Sequence, residues 1–448
     1  MGRFNLILSL LIILNFGEVS AQEKKWTMED CINYAVINNI GLQQQRLQTE
    51  TTEVNYLTSK LNVLPTLNAG SEVQVGFGRS IDPTSNLITF SQNLLNSFYV
   101  GSNLRLFNGF TKLNTITANK FMLKAGLETE KIAKNTLIVN IMGQYYQVLY
   151  SRGLENASKM QLDLSEKQLF RIMKMVETGK EPLSKQYEIE SQVSADKLSY
   201  TITHNSASQA LTTLKQMLQL APGTEFDILM PELNNILIPD NNYSTDSIYS
   251  IAEKTLPRLR AIEYELKASK KQIAAARGGI APSISVGGSA FTGYYNALSD
   301  TSNKIAYSRQ LKNNAGQQVS VSLNIPIFNN YTTGRNIKLA KIREKDTELR
   351  LELEKNNLYT EIENACLDFN RGKDEFSAAE ANYEYNIKSF DVVEKKFESG
   401  LVDVTDYSAA KTTLFKAETE ALRTRLQLLI RMITIQFYAT GEYENLMN

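Results

Sequence analysis

A chain of 448 residues with 48 Lys plus Arg against 48 Asp plus Glu carries no net charge, so nothing in its balance favours a polyanion and no nucleic-acid partner is expected. A single histidine, His204, leaves imidazole catalysis and metal ligation almost without material, and two cysteines, Cys31 and Cys366, are too few for a disulfide framework or a thiolate metal site. No Ser/His/Asp set, metal-spaced cluster or phosphate loop is present, so neither enzyme chemistry nor a cofactor or metal is expected.

The first residues read as a secretory signal over 1–21: Arg3 supplies the charge, Leu6 to Phe16 the apolar run, and Val19-Ser20-Ala21 the small residues for cleavage before Gln22. The apolar run is shorter than the roughly 20 residues a membrane helix needs, and no later stretch reaches that length. Such a chain leaves the cytoplasm and crosses no bilayer as a helix. No Cys follows the cleavage site, so no lipid anchor is expected.

Two halves of like order follow, a first repeat over 22–220 and a second over 247–438, with a connecting segment at 221–246 between them and a tail at 439–448. Matched landmarks carry the duplication. Leu64-Pro65-Thr66-Leu67 recurs as Ala281-Pro282-Ser283-Ile284, Leu106-Phe107-Asn108-Gly109 as Ile327-Phe328-Asn329-Asn330, and Glu177-Thr178-Gly179 as Glu398-Ser399-Gly400. The offset is about 220 residues, and its drift falls between the first two landmarks, where loops absorb it.

Each half reads helix, strand pair, very long helix, turn, helix. In the first, strands are expected at about 66–78 and 97–107, a long helix at 110–176, a turn at Thr178-Gly179-Lys180 and a helix at 183–220. In the second the strands fall at about 283–295 and 317–328, the long helix at 331–398, the turn at Ser399-Gly400-Leu401 and the last helix at 403–438. Polar and apolar residues mix at helical spacing without proline from Thr111 to Val176 and from Thr333 to Phe397. A helix of that length spans roughly 100 Å and needs lateral support throughout. Ile387, Phe390, Val393 and Phe397, and Leu422, Leu426, Leu429 and Ile433, keep the spacing of three and four that packs helices side by side into a coiled-coil-like wall.

The strands alternate. Val319, Val321, Leu323, Ile325 and Ile327 oppose Ser320, Ser322 and Asn324, and Phe98, Val100, Leu104 and Leu106 oppose Gly101, Asn103 and Arg105. Leu67, Ala69, Val73, Val75 and Phe77 oppose Asn68, Glu72 and Gln74, and Ile284, Val286 and Ala290 oppose Ser283, Ser285 and Ser289. Runs of about ten such residues cross a bilayer when tilted, although a sandwich strand with one wet face alternates equally well. Edges separate the two readings. Four strands cannot close a barrel, and an open edge in lipid leaves backbone groups unpaired at several kcal/mol each. A homotrimer supplies twelve strands and closes without free edges. The polar linkers 79–93 and 295–316 are then the outward loops, and Glu72, Gln74 and Arg105 candidates for the lumen.

These features together resemble the TolC family of outer membrane efflux proteins. The resemblance lies in the Leu-Pro or Ala-Pro entry into a strand pair, the Pro326-Ile327-Phe328 exit into a long helix, and Ser399-Gly400-Leu401-Val402-Asp403-Val404. It is most specific from Gly400 to Phe415, at Val404, Asp406, Thr412, Thr413, Leu414 and Phe415. The start, Trp26-Thr27-Met28-Glu29-Asp30-Cys31 with Ala35 and Asn38-Asn39, is similar to family members from the Bacteroidetes.

The resemblance implies a mostly α fold with β: a trimeric barrel of four membrane strands per protomer in the outer membrane, and a helical barrel projecting into the periplasm. It also implies a passive channel of a tripartite efflux or type I secretion system, partnered by a periplasmic adaptor, an inner-membrane pump and outer-membrane lipid. The turns Thr178-Gly179-Lys180 and Ser399-Gly400-Leu401 match the family's adaptor-contacting tips. For the periplasmic gate, Asp406 falls where the family has an inner aspartate and Phe397 where it often has a tyrosine. Other positions depart: Ala409 replaces an aspartate, Val402 an arginine and Lys185 the first-half aspartate, while Asp403 adds a carboxylate. The charge swap leaves two readings open: a gate pairing of Lys185 with Asp403 or Asp406, or Lys185 and Asp403 as solvated tip residues. A periplasmic adaptor or scaffold with long helical hairpins is the alternative reading.

Overall fold

The computed structural model describes residues 25–81, 86–231, 243–298 and 305–441. The signal expected at 1–21 lies outside them, as do most of the tail and parts of the connecting segment and of the two outward linkers. Thirteen elements follow in order among the described residues: α1 (Met28–Asn38), α2 (Ile40–Leu61), β1 (Thr66–Ile81), β2 (Ile88–Asn108), α3 (Thr111–Glu177), α4 (Leu183–Met217), α5 (Thr245–Thr255), α6 (Pro257–Gly278), β3 (Ser283–Ala297), α7 (Tyr307–Asn313), β4 (Gly316–Asn324), α8 (Thr332–Glu398) and α9 (Val404–Thr440). The fold is mostly helical with one antiparallel sheet.

The sequence repeat is a structural repeat with two registers. Helices α1 and α5 both have 11 residues, α2 and α6 both 22, and with β1 and β3 they start 217 apart (28→245, 40→257, 66→283). The long helices α3 and α8 both have 67 residues and are 221 apart at each end (111→332, 177→398). Backbone landmarks keep the second register: left-handed residues at Gly109 and Phe110 precede α3, and left-handed Asn330 and Tyr331 precede α8. The four extra residues of the second half therefore lie in its strand pair, where the connection folds a short helix, α7.

The chain forms two compact units. One comprises Arg46–Glu130 and Pro257–Lys355 and holds the sheet, most of α2, all of α6 and the first parts of α3 and α8. Its strands run in the order β1-β2-β3-β4, each antiparallel to the next, with a register shift between Arg105 and Phe107. Strand β2 begins at Ile88, well before the expected start at 97, because it pairs with β1 as far as Ile81↔Ile88. Strand β4 ends at Asn324 and not near 328: Pro326 has no N–H to give the ladder. The linker expected to be irregular from 295 contains α7, which covers the edge of β3 beyond the end of β4. There the Gln310 carboxamide accepts from Tyr295 N at 3.0 Å and donates to Tyr295 O at 2.9 Å, as a neighbouring strand would, and Asn314 Nδ2 donates to Gly293 O at 2.8 Å.

The other unit comprises Met1–Gln45, Lys131–Leu256 and Asn356–Asn448. Its larger core joins α1 (Cys31, Ile32, Ala35), the middle of α3 (Ile138, Ile141, Tyr145, Leu149), the end of α4 (Leu214, Leu218) and α9 (Leu426, Ile433). Helix α1 is started by a capping box between Thr27 and Asp30, and a parallel bridge of Trp26 with Ile228 ties the chain before it to residues after α4. Tyr145 Oη closes this corner by donating to Leu229 O at 2.8 Å. Of the eight stripe residues read as a helical wall, seven pack into apolar clusters and Ile387 is exposed. Cys31 and Cys366 are free and buried, and burial pushes the Cys31 thiol up to about 12.

Candidate functional site

Register fixes which strand residues share a face. Opposed in the ladder are Glu72 and Ser97, Gln74 and Leu95, Asn103 and Gly287, Arg105 and Ser285, and Ser285 and Ser322. These alternate with a second set that includes Val73, Val100, Val286, Val321 and Leu323. One face of the sheet is therefore largely polar, with Glu72, Gln74 and Arg105 all exposed upon it. The opposite face is apolar and equally uncovered: Leu67 and Phe77 are each 75% exposed, Val319 80% and Val321 72%. An apolar surface of that extent, on strands whose outer edges at β1 and β4 have no further strand among the described residues, has the form of an interaction surface.

The two helical turns are built alike. In the first, Lys180 N donates to Met175 O at 2.8 Å and Gly179 N to Val176 O at 2.9 Å; in the second, Leu401 N donates to Lys396 O at 2.9 Å and Gly400 N to Phe397 O at 3.1 Å. Both are Schellman motifs, closing the last turn of a long helix. Gly179 and Gly400 have φ of +72° and +73°, and a Cβ on either would meet nothing within 4 Å, so backbone conformation and not space calls for glycine. Thr178 and Ser399 add side-chain hydrogen bonds to the preceding carbonyls. Lys180 and Leu401 are left pointing outward, both exposed.

The four gate candidates stand in different surroundings. Asp403 is the N-cap of α9, its carboxylate accepting from Asp406 N at 2.9 Å, and Asp406 is the acid of that helix's first turn. Phe397 is buried and stacks on Tyr407, ring centroids 4.4 Å apart and planes at 21°, within a cluster holding Ile172, Ile189, Phe390 and Val404. Lys185 lies in the first turn of α4 and forms no ion pair among the described residues, so Asp403 and Asp406 are not brought to it within one protomer.

Two features near this end escaped sequence reading. Tyr407 is almost fully buried, and neither its hydroxyl nor the nearby Gln168 carboxamide oxygen finds a well-directed hydrogen-bond partner. Burial pushes the Tyr407 phenol well above its ordinary range. Beside it lies a buried ion pair: Lys411 Nζ of α9 is 2.5 Å from Asp196 Oδ2 of α4, with the side chains only 4% and 5% exposed. Asp196 also accepts from Ser165 Oγ of α3 at 2.5 Å and from Gln192 Nε2 at 2.9 Å, while Lys411 also donates to Ser165 Oγ and, at 3.4 Å, to Gln161 O. Three helices are thus pinned by one charge pair. Burial draws the Lys411 ammonium below its ordinary range, and Asp196 offsets only part of that. The sequence signal was faint: Lys411 at a position whose neighbours Val404, Tyr407 and Leu414 mark the apolar side of α9.

Comparison with known proteins bears on the whole arrangement. Residues 248–441 match the family model of the outer membrane efflux proteins. An uncharacterized protein of Haemophilus influenzae is 20% identical over 422 residues, which is 92% of this chain and 87% of the relative. Among solved structures, CusC aligns with a TM-score of 0.76 at 17% identity, covering 93% of this chain and 92% of CusC. The Campylobacter jejuni CmeC outer membrane channel aligns at 0.76 and 13% identity, covering 94% and 88%. The open-state Neisseria gonorrhoeae MtrE outer membrane channel aligns at 0.75 and 19% identity, covering 93% and 89%. Residues 248–441 thus match the outer membrane efflux protein model, and the chain as a whole has the fold of the CusC, CmeC and MtrE structures.

Proposed function

We propose that the chain is one protomer of a homotrimeric, passive outer-membrane channel that exports solutes delivered through a periplasmic adaptor from an inner-membrane pump. The observation that carries this reading is the sheet: one face polar, the other apolar and uncovered, with both outer strands lacking a further partner among the described residues. In lipid an unpaired strand edge costs several kcal/mol per backbone group, and cyclic pairing of β4 on one copy with β1 on the next removes both edges. Twelve strands result, with Glu72, Gln74 and Arg105 on the inner wall and the apolar set against lipid. The helices then project into the periplasm. In this reading the turns Thr178-Gly179-Lys180 and Ser399-Gly400-Leu401 meet the adaptor, and Phe397, Asp403, Asp406 and Lys185 stand at the periplasmic entrance.

The test is size and cross-linking of the mature protein extracted in detergent. A detergent-dependent trimer is the expected result; a stable monomer that stays soluble without detergent refutes the proposal. The entrance is tested by bilayer conductance of Lys185→Glu, which replaces attraction to Asp403 and Asp406 by repulsion between like charges gathered around one axis. Closed-state leakage should rise. An unchanged closed-state conductance removes Lys185 from the gate.

A further inference from the structure

One rung of the sheet's polar face departs from the rest. Gly70 of β1, Tyr99 of β2, Phe291 of β3 and Gly316 of β4 stand opposite one another across all four strands. The next rung toward the helices holds Asn68, Gly101, Ser289 and Gln318, small or polar throughout. Neither ring fills a core, since Tyr99 is 51% and Phe291 47% exposed. Each leans across the glycine on its outer neighbour: a Cβ at Gly70 would lie 2.7 Å from the Tyr99 ring, and one at Gly316 2.6 Å from the Phe291 ring. The two glycines thus let both rings lie along the wall. A shallow concavity of about 910 Å³ runs along this rung, large enough for a drug-sized molecule.

Among the described strands, the charge nearest the rings is a carboxylate. Glu72 stands on the adjacent rung, opposite Ser97, about 7 Å along β1 from Gly70. It is exposed and forms no ion pair among the described residues. One rung further, Leu95 stands between Gln74 and Tyr295. The basic residue of this face among the described strands, Arg105, is six residues from Tyr99 and about 20 Å away.

We infer that Tyr99, Phe291 and Glu72 form a contact site for planar organic cations on the inner wall of the channel. The inference rests on the proposed trimer, which makes this face a lumen. Aromatic faces attract cations and stack on planar rings, and a carboxylate within reach selects the sign of charge. Each contact is weak, which suits a site that must release what it holds.

The probe is ethidium, a planar aromatic cation, titrated by fluorescence polarisation into the mature protein in detergent. Replacing both rings, Tyr99→Leu with Phe291→Leu, should weaken binding about threefold to tenfold, whereas Tyr99→Phe keeps the ring and the affinity. Glu72→Gln, at an exposed position that leaves the fold intact, should weaken binding at low salt and lose its effect as salt rises. A trimer whose affinity is the same in the wild type, the leucine pair and Glu72→Gln overturns the inference alone. A chain that stays monomeric without detergent removes the lumen, and the inference falls with the proposed function.

Discussion

Removing Asp196 should destabilise the helical unit by about 3–5 kcal/mol at pH 7, and most of that loss should disappear at high pH. The Asp196→Ala variant leaves the Lys411 ammonium buried, with only Ser165 Oγ and the distant Gln161 O as acceptors. Breaking a buried pair by deleting one partner costs about 3–5 kcal/mol because a buried charge is left uncompensated. The lysine has a second route, to shed its proton. From an ordinary pKa of about 10.4, doing so at pH 7 costs about 4.6 kcal/mol at 1.36 kcal/mol per pH unit, so both routes give the same ceiling. The sign follows: with its folded pKa depressed, the lone Lys411 makes the unfolded state the better proton binder, and stability rises with pH until the ordinary lysine pKa is reached. Between pH 7 and pH 9 the variant should therefore regain stability relative to the wild type, whose Lys411 keeps the partial compensation of Asp196. Urea unfolding in detergent at the two pH values measures this. The double variant Asp196→Leu with Lys411→Met supplies the control, since replacing a buried pair by apolar residues is often neutral or stabilising. A defect that does not change with pH, or a double variant no better than Asp196→Ala, would refute the account of a desolvated pin.

Three further outcomes follow from other parts of the fold. Cys31 and Cys366, both buried with thiols pushed up by burial, should stay unmodified by a thiol-specific disulfide reagent at pH 8 until denaturant is added; labelling of the native protein contradicts their packing. Burial opposes ionisation of Asp227, but Arg152, the Ile228 N–H and Lys25 together outweigh this and hold the carboxyl below its ordinary range. The stability it contributes is present above the unfolded-state carboxyl pKa and is lost as pH falls through the depressed folded value. Arg152→Ala should therefore cost about 1–3 kcal/mol at pH 7 and little in strong acid, as read from denaturant midpoints. Gly400→Ala forces a left-handed conformation on a residue with a Cβ and should cost about 1–2 kcal/mol. Gly143→Ala, in the interior of α3 with open space around the new methyl, should stabilise by about 0.5–1 kcal/mol; equal effects at the two glycines contradict the conformational argument.

The legible part of this fold is what a short stretch of chain fixes by its own pattern. Alternation along β1 to β4 sorts the faces that the ladder later confirms in register, because side chains on a strand reverse at every residue. The repeat is legible because the same landmarks recur, and the structure resolves it into offsets of 217 and 221 separated by the strand pair. The cap at Asp403 was within reach of the sequence, since Asp403 and Asp406 bracket the start of an apolar-periodic helix in the manner of a capping pair. Lys411 with Asp196 was not. The two lie 215 residues apart, and only the rotational phase of three helices turns them inward together. The pairing of Phe397 with Tyr407 was hidden similarly, across a turn whose geometry decides which residues of α8 and α9 meet. Helix α7 was read as part of a polar linker because seven residues carry too little periodicity to stand out from their surroundings.

Charges in the helical unit divide by depth, and the division bears on how the entrance can close. Inside, Lys411 and Asp196 satisfy one another within a single protomer, and nearer the surface Arg425 with Glu380 and Arg431 with Glu375 join α9 to α8. Arg171 of α3 reaches the last turn of α8, donating to Glu398 O at 2.5 Å. These contacts hold each helix to its neighbour. At the tips the balance differs. Asp403 gives one oxygen to its own helix cap, Asp406 is exposed, and Lys185 is half-buried without an ionic partner among the described residues. A group already saturated inside one protomer cannot supply a contact that must break and reform, whereas surplus charges at the tips can. In the proposed trimer, any pairing of Lys185 with Asp403 or Asp406 is therefore made between protomers, since the described residues of one protomer bring neither carboxylate to the lysine.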